Sequence, residues 1–256
     1  MSPERKVLSE ELRRMLSLPG NPVGIKLLKA PRELLDVPNV RSLGSTAPCQ
    51  MAAIARYGRE DSVVGASTQA TKCVWGASCF GLIRTPSRLA EGDLYRAFVK
   101  DEAAARTLHQ GLTMLGDDGP LYGGVVMGPL DLMPIEPDVV VLYISPGQAL
   151  RVIIAFGYKG GEAVRSVITG QASMCSAVAL AVRDGKVTVD IPCMGDRAYG
   201  LVQDHELVVA FPASRLAELV EGLKATESVA RYPFRPFLQW PAIFPPSFEP
   251  RPKELD

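Results

Sequence analysis

The chain has 256 residues, 47% of them hydrophobic, enough for one large core or two small ones. Lysine plus arginine balances aspartate plus glutamate at 28 each, so no net field favours DNA, RNA or an anionic membrane. No apolar run reaches the roughly 18–20 residues of a membrane helix, and Met1-Ser-Pro-Glu-Arg-Lys-Val-Leu lacks the apolar core of a secretory signal, so the expected location is cytoplasmic.

In chain order, Val7, Leu8, Leu12, Met15 and Leu16 predict an amphipathic helix over 4–17, stopped by Pro19-Gly20. Pro22-Val-Gly-Ile-Lys-Leu-Leu28 reads as a buried strand. Its one charge, Lys26, either faces solvent with its stem over apolar surface or points inward at an anionic ligand. Residues 30–47 are loop with a helical turn near Glu33; Cys49 to Tyr57 is helical and stops at Gly58. Val63 to Thr71 is strand plus loop, Cys73 to Leu82 is glycine-interrupted, and 87–115 holds a helix pair, the second capped by Asp101.

A second half begins near Tyr122 with a strand ending at Pro129. Asp138 to Ile144, β-branched and apolar, is the strongest strand signal and predicts an interior strand. A helix follows over 147–158, then strands at 186–191 and 206–211, then a helix from Pro212 to Leu223. Residues 231–256 are rich in proline and aromatics and read as an extended arm on the body or on a partner subunit, which would make a homodimer.

Five cysteines, an odd count in a chain large enough to fold on its core, argue against a disulfide scaffold. With only His109 and His205, a histidine-rich zinc site is excluded. Four cysteines fall in two stretches that echo each other. Cys49-Gln-Met-Ala-Ala-Ile-Ala matches Cys175-Ser-Ala-Val-Ala-Leu-Ala, and Cys73 and Cys193 each precede a closing Gly-Leu. Within each pair the spacing is 24 and 18 residues. Duplicated half-units would bring equivalent cysteines together near a pseudo-twofold axis. Cys49 and Cys175 at helix starts are expected to favour thiolate. Cys79, whose counterpart is Tyr199, is expected to be packing.

Four thiolates suit zinc or an iron–sulfur cluster, and the lack of close Cys-x-x-Cys knuckles favours the cluster. Arg197, beside Cys193, can stabilise an anion or instead pair with Asp196 or Glu206. Glu206 can supply a proton; Tyr143 and Trp75 can line a pocket. No dinucleotide fingerprint, P-loop or nucleophile elbow is present.

Several pieces together resemble the uncharacterised prokaryotic family called domain of unknown function 169 over about residues 20–225. They are Pro22-Val-Gly-Ile-Lys, Ala47-Pro-Cys49-Gln, Cys73-Val-Trp-Gly-Ala, Gly128-Pro-Leu, Pro137-Asp-Val-Val-Val, Pro146-Gly-Gln-Ala, Ala172-Ser-Met-Cys175 and Cys193-Met-Gly-Asp-Arg197. The resemblance implies a soluble prokaryotic protein with this cysteine pattern and carries no activity.

The reading is therefore an α+β protein of two structurally related halves, 1–120 and 121–230, with mixed sheets and flanking helices, plus the arm at 231–256. The expected function is redox or lyase chemistry at a [4Fe–4S] cluster held by Cys49, Cys73, Cys175 and Cys193. The substrate is a small anionic molecule held by Arg197 and Lys26, with Glu206 as a proton source and a small electron donor as partner. Zinc, a haem- or flavin-binding module, and a cysteine nucleophile are the alternatives.

Overall fold

The structure, a computed structural model, describes residues 3–234; the arm beyond 234 lies outside the described residues. It is an α+β fold around one mixed sheet. The chain runs α1 (Pro3–Leu16), β1 (Val23–Leu28), α2 (Glu33–Asp36), β2 (Arg41–Ser42), α3 (Pro48–Tyr57), β3 (Val64–Ser67), α4 (Val74–Cys79), α5 (Ser87–Ala90), α6 (Glu102–Gln110) and β4 (Gly124–Pro129). It continues with β5 (Val139–Ile144), α7 (Pro146–Gly157), α8 (Ser173–Asp184), β6 (Thr188–Asp190), α9 (Met194–Gly200), β7 (Leu207–Pro212) and α10 (Leu216–Ala225).

The strand order is β2-β3-β4-β1-β5-β7-β6, antiparallel except for the parallel β2–β3 pair. Read inward from each side, β3-β4-β1 mirrors β6-β7-β5. In chain order, β1-α3-β3-α4-β4 matches β5-α8-β6-α9-β7. The registers match too: Val23, first in β1, faces Pro129, last in β4, as Val139, first in β5, faces Pro212, last in β7. Gly24 and Val140, the second residues of β1 and β5, face each other. A local twofold therefore passes through the centre of the sheet. The pairing of β4 with β1 and β3 puts it in the first unit, although the sequence reading began the second half before it.

Alternation along β5 explains why this strand is apolar throughout. Val139, Val141 and Tyr143 enter the core under α3, α4 and α8, while Val140, Leu142 and Ile144 join α1, α7 and α10 on the opposite face. All six residues are buried. Local chemistry sets the helix starts. Pro48 opens α3 while Gln50 Oε1 accepts the Ala47 N–H at 2.9 Å. Ser145 as N-cap and Gln148 as third helical residue form a capping box spanning Pro146 at the start of α7, and Asp101 caps α6. The first helix of the pair expected over 87–115, opening at Glu91-Gly-Asp-Leu, is reduced to the single turn of α5 and a 3-10 turn at Asp93–Tyr95.

Lys26, the charged member of β1, pairs with Asp138 at 2.7 Å with both side chains about one-third exposed.

Candidate functional site

On the sheet face covered by α3, α4, α8 and α9, the helices of the two units pack crosswise: α3 lies on α9 and α4 on α8. This arrangement interleaves the cysteines. Cys49 is the second residue of α3, Cys175 the third of α8, and Cys73 and Cys193 are the N-cap residues of α4 and α9. Close approach across the units depends on glycine. A Cβ on Gly200 would stand 3.3 Å from Cys49 Cβ, and one on Gly76 would stand 3.4 Å from Cys175 Sγ.

Cys49, Cys73, Cys175 and Cys193 line one cavity of about 250 Å³, walled by Trp75, Phe98, Met194 and Tyr199 and including Asp196. Cys79 does not line it and is fully buried in the core. All five thiols are free. Among the described residues, no group of three or more His, Cys, Asp or Glu side chains is placed to hold a metal ion. The α8 start carries local strain: Ala172, which also lines the cavity, adopts φ 48°, a left-handed conformation unusual for a residue with a Cβ.

Electrostatically the cavity holds protons. Burial, with smaller contributions from Asp196, Cys73 and Cys193, pushes the Cys49 thiol up to about 12. Burial pushes Cys175 well up and raises Cys193, the latter partly offset by the nearby backbone N–H groups of Asp196, Ser173 and Gly195. The thiolate expected from helix starts is therefore overruled by desolvation. Among the described residues, no basic side chain lines the cavity to reverse this.

Asp196 is the residue that sequence reasoning passed over. It is 2% exposed, and burial lifts its carboxyl to about 6. Its Oδ2 lies 3.6 Å from Cys193 Sγ and 3.5 Å from the Met174 nitrogen, and Oδ1 lies 3.5 Å from the Tyr143 hydroxyl. The available signal was its place in Cys193-Met-Gly-Asp, three residues past the N-cap of α9, which turns it towards the cysteine.

The three charged residues expected beside the cysteines stand elsewhere. Arg197 turns away to the Gln203 carbonyl at 2.9 Å and Asp204 at 3.2 Å. Lys26 is tied to Asp138. Glu206 forms a buried ion pair with Arg56, one of whose nitrogens lies 3.0 Å from Oε2. Arg56 also sits 5.0 Å from the centre of the Tyr143 ring, whose hydroxyl lies 3.5 Å from Asp196 Oδ1. None of the three lines the cysteine cavity.

No helix among the described residues is long and apolar enough to cross a membrane. In comparison with known proteins, the uncharacterized protein MJ0308 of Methanocaldococcus jannaschii is 29% identical over 221 residues, covering 84% of this chain and 92% of that protein. No solved structure matches. The model of the DUF169 family, described as "Uncharacterised ArCR", matches residues 11–222, which takes in both half-units and all four cavity cysteines, and the chain belongs to that family.

Proposed function

We propose that Cys49, Cys73, Cys175 and Cys193 hold an iron–sulfur cluster of the [4Fe–4S] type, and that the protein carries out redox or lyase-type chemistry on a small molecule beside it. The observation behind this reading is the meeting of four thiols, two from each half-unit, around one cavity. Tetrahedral zinc would need sulfurs roughly 3.8 Å apart, given a bond of about 2.3 Å. The preference for a cluster rests on the sequence, which has no Cys-x-x-Cys knuckle, and on the chemistry of a cluster, in which each iron takes a separate thiolate. Such a cluster supplies electron transfer when fully ligated and Lewis-acid chemistry when one iron is left open.

The chain's own residues fit that role. The backbone N–H groups of Asp196, Ser173 and Gly195 beside Cys193 offset part of its burial, a setting that favours a metal-bound thiolate. Thiols held protonated by burial release their protons when a cation enters. Asp196, buried between Cys193 and Tyr143, orients both. The reading goes with a cytoplasmic location, where thiols stay reduced.

Iron and acid-labile sulfide measured on anaerobically purified full-length protein test the proposal. The expected result is both elements in matched amounts, with broad absorption near 400 nm that is lost in Cys193→Ser. Iron-free, colourless protein after anaerobic reconstitution contradicts it.

A further inference from the structure

Six ionisable side chains line the cysteine cavity, the four cysteines, Asp196 and Tyr199, and each is neutral when protonated and negative when ionised. Among the described residues, no lysine, arginine or histidine lines it. Arg56, whose partners are Glu206 and the Tyr143 ring, lines a different cleft. An anion entering here would be stripped of water and given no counter-charge, and thiolates on a cluster would repel it further.

The rim has the opposite character. Phe98, Met194 and Tyr199 stand 49%, 69% and 60% exposed at the cavity wall, beside the half-buried Trp75. Large apolar side chains held in water around a concave opening gain when a ligand covers them. We propose that the molecule this cavity admits is uncharged and apolar, of aromatic-ring size, bound against Trp75, Phe98, Met194 and Tyr199. The cavity thus selects against the anionic substrate that Arg197 and Lys26 suggested. This rests on the cysteine cavity being the working site of the preceding reading.

Two probes of equal ring size and different charge, 4-fluorotoluene and 4-fluorobenzoate, test the inference by fluorine NMR titration of the full chain. Both the anaerobically reconstituted and the metal-free protein are titrated. The toluene should bind at least roughly tenfold more tightly than the benzoate, and Phe98→Ser and Met194→Asp should each weaken it by about the same factor. Both substitutions are at exposed positions, and unfolding curves confirm that the variants fold. Equal or tighter benzoate binding, binding of neither probe, or toluene binding untouched by both rim variants overturns the inference. Iron and sulfide are assayed on the same samples. Iron with a preference for benzoate sinks this inference alone; no iron with a preference for toluene sinks only the cluster reading.

Discussion

Gly76 on α4 lies directly against Cys175 of the other half-unit: a Cβ at 76 would meet the Cys175 sulfur at 3.4 Å and Pro48 Cγ at 2.6 Å. The second distance is too short for any real contact, so a side chain there must push α3 and α4 apart. Gly76→Ala should cost about 1–3 kcal/mol of stability, as overpacking does. It should also lower the iron retained per chain. Gly195→Ala, whose Cβ would meet Cys193 Sγ at an ordinary 3.6 Å, is the control and should change neither. Urea unfolding with metal analysis reads both effects.

The cysteines should divide four against one. Serine at 49, 73, 175 or 193 should each reduce bound iron. Cys79→Ala should leave iron content unchanged while costing about 1 kcal/mol of stability through lost packing, because Cys79 is wholly buried outside the cavity. Iron loss in Cys79→Ala equal to that in the others would contradict this division.

The Arg56–Glu206 pair is buried on both sides, at 2% and 5% side-chain exposure. Removing one charge strands the other, so Glu206→Gln should cost about 3–5 kcal/mol, and adding Arg56→Met should recover most of it. Burial pushes the Glu206 pKa up, but its bonds to Arg56 and the Gln203 N–H outweigh that, leaving it below the usual glutamate range. A depressed pKa stabilises the fold above the unfolded value and loses that contribution as pH falls through the folded one. Glu206→Gln should therefore flatten the acid side of the stability profile, measured by denaturant titration across pH.

Asp190 behaves in the opposite sense. Burial, against a smaller lowering by the Ile191 N–H, raises its carboxyl to about 7. A raised pKa favours folding fully below the unfolded value of about 3.9, and that contribution is lost as pH rises through about 7. Asp190→Asn keeps the acceptor for Ile191 and removes the buried charge. It should raise the melting temperature by roughly 2–4 °C per kcal/mol gained at about pH 8 and by much less near pH 4. An equal gain at both would contradict the shift.

Where periodicity was long, the fold was legible in the sequence. The run Val139–Ile144 gave an interior strand, and the leucine spacing after Pro212 gave α10. Four cysteines were legible as a set because their surroundings repeat, and the palindromic sheet supplies the reason. The helices α4 and α9, with six and seven residues and internal glycines, are too short for a periodic signal. The sequence does not show that Asp196 lines the cavity and that Arg197, Lys26 and Glu206 do not, because a sequence gives adjacency but not direction. Arg197 follows Asp196 in the chain, yet one points outward to Asp204 and the other inward to Cys193.

Iron K-edge X-ray absorption on the anaerobically prepared full-length protein tests the central claim most directly. The cluster reading predicts iron surrounded by sulfur with a clear iron–iron scattering path, both lost in Cys193→Ser. Bound zinc or isolated iron without any metal–metal path, or a spectrum unchanged by the serine variants, would contradict it.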